Sequence, residues 1–256
     1  MLRTMDRRLM RKVPEITVFF WIIKLMTTAL GEATSDYLIK TFDPYVVVVC
    51  GFIGFLAIVG MQLRSRRYVP WVYWLTIVMV AIFGTMAADV IHVVLGIPYV
   101  VSTACFLIVL ASVFWYWRKV EGTLSIHSIT TPRRELFYWA AVLTTFALGT
   151  SAGDLIAYTA KLGFLDAGLV FAVIFVIPAV GYWLFRMNSI FAFWFAYIMT
   201  RPLGASFADW TGKAQGAGGV GWGDGAVSAV LVALIVLLVM YLQITHKDVD
   251  LEPTRS

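Results

Sequence analysis

One three-residue frame recurs along this chain and constrains its fold more than any other feature. Trp21 is followed by Gly31 and Asp36, Trp74 by Gly84 and Asp89, Trp139 by Gly149 and Asp154, and Trp194 by Gly204 and Asp209. In all four copies the Gly comes ten residues after the Trp, and the Asp five after the Gly. Such regularity marks an internal repeat, so the fold must be built from four like units.

Each frame lies in an apolar stretch near the ~20 residues that cross a bilayer. The chain is 61% apolar and 14% charged, against about 45–50% and 25% in a soluble domain. Eight apolar segments can be marked, at roughly 14–38, 44–63, 70–95, 97–117, 136–160, 164–185, 189–211 and 225–244. The odd-numbered segments carry the frame, and the even ones are almost purely apolar. The expected fold is an all-α polytopic membrane protein. Its eight transmembrane helices form four parallel helical-hairpin repeats in a pseudo-symmetric bundle. It is a single membrane domain over 1–256, with repeats at about 12–67, 68–119, 132–186 and 188–247. The first segment carries Lys24 and Glu32, and no small-residue cleavage site follows it, so it reads as a retained span.

Basic residues set the orientation. Arg3, Arg7, Arg8, Arg11 and Lys12 precede the first span; Arg64, Arg66 and Arg67 follow the second. Arg118, Lys119, Arg133 and Arg134 follow the fourth, Arg186 the sixth, and Lys247 and Arg255 the eighth. That side holds fifteen; the other holds Lys40, Lys161 and Lys213. Both termini are therefore expected in the cytoplasm. The net charge of +5 reflects this bias rather than nucleic-acid binding. Trp115, Trp117 and Trp183, beside Arg118 and Arg186, read as interfacial belt residues. Cys50 and Cys105 show no metal or disulfide spacing and read as small buried residues.

On a helix, residues i, i+3 and i+4 share a face. Lys24, Thr28, Glu32 and Asp36 follow one another at fours, as do Arg201, Ala205 and Asp209. Thr85 stands four before Asp89, Thr150 four before Asp154, and His92 three after Asp89. Hydrocarbon cannot solvate such polar stripes, so they must face protein or a water-filled cavity. Four stripes in a pseudo-symmetric bundle converge on one interior site. Asp36, Asp89, Asp154 and Asp209 with Glu32 are the candidate ion or substrate ligands, and the four Asp the candidate metal ligands. Thr28, Thr85, Thr150 and Ser206 are candidate polar support. Lys24, Arg201 and His92 are candidate coupling or charge partners; Lys24 and Arg201 could be tethered stand-ins for a substrate, or static partners of Glu32 or Asp209. The small residues of GEATSD, GTMAAD, GTSAGD and GASFAD suit close helix packing, or a helix break. Pro202 makes the seventh span the best candidate for a kink. The Gly-rich stretch 212–225 reads as flexible filler or a lid.

Carboxylates with Thr and Ser oxygens are hard ligands, suited to a cation. Brought close together they cannot all ionise, which suits proton coupling. The expectation is a cation transporter, foremost for a divalent metal such as Mn²⁺ or Mg²⁺, coupled to protons. It is not an enzyme, needs no cofactor and has the lipid bilayer as its partner; a homo-oligomer is left open. The alternatives are a non-catalytic scaffold or sensor with structural acids, and an intramembrane aspartyl protease, which SAGD at 151–154 only weakly suggests. The opening KVPEITVFFWIIKLMTTALGEATSDYL, the later RPLGASFADW and the four tandem two-span units, each with one Trp, resemble a family of bacterial membrane proteins built from a repeat of unknown function. That resemblance covers about Lys12 to Ile244. It implies a bacterial inner-membrane protein and assigns no site residues. Only the first copy has Glu after its Gly, and only the fourth has Arg–Pro before it.

Overall fold

The structure, a computed structural model, describes residues 11–249. Arg3, Arg7, Arg8 and Arg255, counted in the charge asymmetry, lie outside the described residues. Eight long α-helices follow one another: α1 (Val18–Thr41), α2 (Pro44–Arg64), α3 (Pro70–Asp89), α4 (Tyr99–Glu121), α5 (Pro132–Asp154), α6 (Gly163–Phe185), α7 (Ser189–Gly212) and α8 (Asp224–Thr245). There is no strand among the described residues. Six helices, α2 to α6 and α8, are long and apolar enough to cross a membrane. The other two, α1 and α7, carry Lys24, Glu32 and Asp36, and Arg201 and Asp209.

Local sequence sets the helix ends. Pro44, Pro70 and Pro132 stand at helix starts, where a missing N–H costs nothing. Asp43 accepts from the Tyr45 and Val46 amides, and Asn188 from those of Ile190 and Phe191. Gly122, at φ 74°, ends α4 in the left-handed conformation that favours glycine. Pro202 does not break α7, which runs helical on both sides of it.

The frame-bearing helices form an inner ring in which α1 touches α3, α3 touches α5, α5 touches α7, and α7 returns to α1. The greasy helices lie outside. Each packs chiefly on the inner helix of the next copy: α2 on α3, α4 on α5, α6 on α7, and α8 back on α1. The repeat is thus a hairpin in sequence, while its outer helix seals the neighbouring unit, and the last copy closes onto the first. The outward faces carry rows of exposed apolar side chains, among them Val49, Ile53 and Leu56 on α2 and Val173 and Ile177 on α6. Cys50 and Cys105 are exposed on these outer helices rather than buried, because a frame-free helix turns only a narrow strip to the protein.

One end carries both ends of the described chain. The Glu15 amide donates to the Asp248 carbonyl (2.9 Å), the Tyr68 amide to Arg11 (2.8 Å) and the Lys12 amide to Ile129 (3.2 Å). Lys12 is buried against the fully buried Glu135, whose other oxygen accepts from Gln62 (2.9 Å). Trp115 and Trp183 are exposed as belt residues are, but Trp117 is buried, stacked on Phe137 and edge-on to Trp194.

Candidate functional site

The repeat glycines make the inner ring close. A Cβ on Gly31 would stand 2.6 Å from Ala81 Cβ, one on Gly84 2.8 Å from Phe146 Cβ, one on Gly149 2.3 Å from Arg201 Cγ, and one on Gly204 2.0 Å from Thr28 Oγ1. Thr28, Ala81, Phe146 and Arg201 occupy the same register, three residues before the glycine of their own copy. One contact is thus repeated four times around the ring, each glycine against the next helix. Close packing, not a helix break, is what the small-residue stretches provide.

A second cyclic layer explains the tryptophans. The residue before each Trp is aromatic: Phe20, Tyr73, Tyr138 and Phe193. Phe20 meets Trp74 (5.7 Å between ring centroids), Tyr73 meets Trp139 (5.7 Å), Tyr138 meets Trp194 (6.1 Å), and Phe193 meets Trp21 (5.8 Å). The Tyr73 and Tyr138 hydroxyls share a hydrogen bond of 2.5 Å. This aromatic collar lies about ten residues, ~15 Å of helix, from the glycine layer. The aromatic preceding each Trp recurs in all four copies and is a signal in the sequence beyond the Trp–Gly–Asp frame.

Between and beyond these layers the polar stripes face the bundle interior. At its centre Arg201 Nη2 lies within hydrogen-bond distance of three oxygens, Glu32 Oε2 (2.6 Å), Thr85 Oγ1 (2.6 Å) and Thr150 Oγ1 (2.7 Å). The four residues come one from each copy. Glu32, Thr85 and Thr150 all follow their glycine directly; the fourth such position is Ala205, which leaves room for Arg201. Arg201 is fully buried, and its Nε and Nη1 have no hydrogen-bond partner. Its partner is therefore Glu32, not Asp209.

Lys24 pairs with no acid. It is fully buried, its Nζ has no hydrogen-bond partner, and it lies 4.0 Å from the centroid of Phe146 and 4.1 Å from that of Tyr197. Two cation–π contacts hold it in place of a carboxylate. The single hydroxyl hydrogen of Thr28 is shared between the Leu25 carbonyl of its own helix (2.6 Å) and the Thr200 carbonyl across the crossing of α1 and α7 (3.0 Å). Ser206 does not join the network: its Cβ faces Gly168 of α6.

The four Asp divide into two pairs. Asp36 and Asp209 share Lys213, which lies 3.3 Å from Asp209, and Asp36 also takes Lys40 (3.1 Å). Lys40 bridges on to Asp224 (2.7 Å). Asp89 and Asp154 have no hydrogen-bond or ion-pair partner among the described residues, though both feel the charges of Glu32 and Arg201. Each is followed by a π-helical turn, Val90–Val94 and Leu155–Thr159, where copies one and four stay α-helical. Such turns often mark functional sites. The metal site expected at Asp36, Asp89, Asp154 and Asp209 is not assembled. No three His, Cys, Asp or Glu among the described residues come together as metal ligands do, because two of the four carboxylates turn to lysines.

His92 is a member of a polar network. Its Nδ1 meets the Ile97 carbonyl (2.7 Å), and Nε2 meets Ser102 Oγ (3.0 Å) and, more loosely, Ser151 Oγ (3.4 Å). The Gly-rich stretch is not loose filler. The Val220, Trp222 and Gly223 amides donate to the last carbonyls of α7, Trp210, Thr211 and Gly212. Lys213, which caps the end of α7, stands one turn past Asp209 and so reaches both Asp209 and Asp36.

A search of curated proteins and a search of solved structures each return no match. A repeat of unknown function, DUF347, matches four times in tandem, at residues 19–68, 72–123, 137–188 and 192–248. Each match begins two residues before a repeat Trp, within the collar described above. The cyclic contacts and these four matches divide the chain in the same way, and the chain belongs to the DUF347 family of repeat proteins.

Proposed function

We propose that this chain is a membrane transporter for a singly charged cation, coupled to protons, working through the carboxylates on the bundle axis. In this reading all eight helices cross the cytoplasmic membrane of a bacterium, with both termini inside. The observation that carries it is the pair Asp89 and Asp154, unpartnered beside the Arg201–Glu32 contact at which all four repeats meet. Ionisable groups at such depth are costly and commonly line a substrate or ion pathway. A purely structural lock would pair each acid, and apolar side chains would do the same task at lower cost. A single carboxylate, Glu32, faces the axial nitrogen of Arg201, which matches one positive charge rather than a divalent metal.

The Arg201–Glu32 pair by itself favours the second reading, a scaffold or sensor whose polar network holds the bundle. Reconstitution separates the two. Liposomes holding the protein and an internal pH dye are offered monovalent and divalent cations. Transport predicts saturable uptake of a monovalent cation with a change in internal pH. Asp89→Asn and Asp154→Asn should each cut that uptake sharply while melting as the parent does. No flux of any cation through folded protein would favour the scaffold.

A further inference from the structure

We propose that the axial oxygens of Glu32, Thr85 and Thr150 form a binding site for a primary ammonium group, which Arg201 fills imperfectly. This rests on the transport reading and names its substrate class as a small primary amine or ammonium ion.

The hydrogens on the axial nitrogen do not match the oxygens around it. The Thr85 hydroxyl donates its one hydrogen to the Ala81 carbonyl (2.9 Å), and Thr150 donates to Phe146 (3.0 Å). Both hydroxyl oxygens therefore turn lone pairs to the axis. The Glu32 carboxylate, ion-paired with Arg201, only accepts. Three acceptors thus surround one nitrogen at 2.6–2.7 Å. A guanidinium nitrogen such as Nη2 carries two hydrogens, so at least one of the three contacts lacks a hydrogen of its own. A primary ammonium carries three and would satisfy all three oxygens. Meanwhile the remaining Arg201 donors, Nε and Nη1, make no hydrogen bond. Nothing beyond the same triad holds the head group by hydrogen bonding, so a better-matched cation can displace it.

A second observation points to the same ligand. The Lys24 Nζ, a primary amine nitrogen of the chain itself, sits between the Phe146 and Tyr197 rings without any oxygen partner. Phe146 lies one turn before Thr150, and its ring also approaches the Arg201 guanidinium (5.9 Å). The axis therefore offers an oxygen triad and, beside it, an aromatic pair, both of which recognise ammonium. Each is occupied by a nitrogen group of the chain itself, Arg201 in the triad and Lys24 between the rings. A substrate amine entering past Asp89 and Asp154 would take the triad first and the aromatic pair next.

Methylammonium is the probe. Thermal unfolding of the purified full chain in detergent, followed by tryptophan fluorescence, should shift upward saturably with methylammonium. Tetramethylammonium, which has no N–H, and sodium should give no such shift. The Thr85→Val/Thr150→Val double variant should weaken the apparent affinity about tenfold or more. Thr85→Ser keeps the oxygen and should preserve binding even if the double variant folds poorly. Thr144→Val, whose exposed hydroxyl bonds only its own helix at Ala140, should change nothing. In liposomes, uptake of another monovalent cation but not of methylammonium would overturn this site and leave the transport reading standing. Saturable, Thr-dependent methylammonium binding without flux of any cation would do the reverse. No saturable methylammonium binding to the folded parent overturns the proposal outright.

Discussion

A Cβ on Gly204 would stand 2.0 Å from Thr28 Oγ1 and 2.9 Å from the Ala29 backbone nitrogen, so α7 and α1 touch where no side chain fits. Thr28 cannot easily yield, because its hydroxyl is bonded to Leu25 and Thr200. Gly204→Ala should therefore destabilise by about 1–3 kcal/mol, the usual cost of overpacking. Gly60, with open space around its missing Cβ, is the control. There Ala should stabilise by up to about 1 kcal/mol through helix propensity. Reversible unfolding in mixed micelles measures both. Equal effects of the same sign would show that the close ring contact does not hold.

The Arg201–Glu32 pair should behave as buried ion pairs do. Arg201→Met alone leaves Glu32 charged and without its cation; Glu32→Leu alone strands the guanidinium. Each should cost about 3–5 kcal/mol. The double variant removes both charges together and should recover most of that loss. A double-mutant cycle on unfolding free energies checks this. Additive losses would mean that the two side chains act on stability separately, which a 2.6 Å contact does not permit.

The collar has a chemical asymmetry that can be erased. Copies one and four carry Phe20 and Phe193 where copies two and three carry the hydrogen-bonded Tyr73 and Tyr138. Tyr138→Phe should cost about 1 kcal/mol or somewhat more, because it strands the Tyr73 hydroxyl in the interior. Adding Tyr73→Phe should then cost little further, since all four copies would present the same ring. A second loss as large as the first would show that Tyr73 has another acceptor.

Much of this fold is legible in the spacing of Trp, Gly and Asp. That frame implies four like helices facing one centre, and the stripes at intervals of four place Glu32, Thr85 and Thr150 on the inner faces. The reading failed where identity of residue type stood in for equivalence of surroundings. Asp36 and Asp209 look like Asp89 and Asp154 in sequence, yet only the first two have Lys213 within reach. Lys213 stands one turn past Asp209 at the end of α7, and only the packing of α7 against α1 brings it to Asp36 as well. Ser206 sits two after Gly204 and so turns toward α6, about 200° from the glycine at 3.6 residues per turn. The partner of each outer helix was not legible either. An apolar helix fits α1 or α3 equally by composition, and the choice is made by tertiary packing. Lys24 on two aromatic rings was hidden for a related reason: Phe146 lies 122 residues away on another helix.

Closure of the ring within one chain is the last point open to direct test. Thr34 Oγ1 on α1 donates to Ser228 Oγ on α8 at 3.1 Å, across 194 residues. A contact of this kind between neighbouring helices makes the two positions a candidate pair for the Cβ separation of about 3.5–4.5 Å that a disulfide spans. Thr34→Cys/Ser228→Cys, built on Cys50→Ala/Cys105→Ala, should therefore oxidise to an internal bridge. Cleavage of the connection at 122–131 would then leave both halves joined on a non-reducing gel and free after reduction. If α8 instead reached the α1 of a second molecule, the oxidised, uncut protein would run at twice the monomer mass. The internal product is expected, because α8 packs on α1 of the same chain.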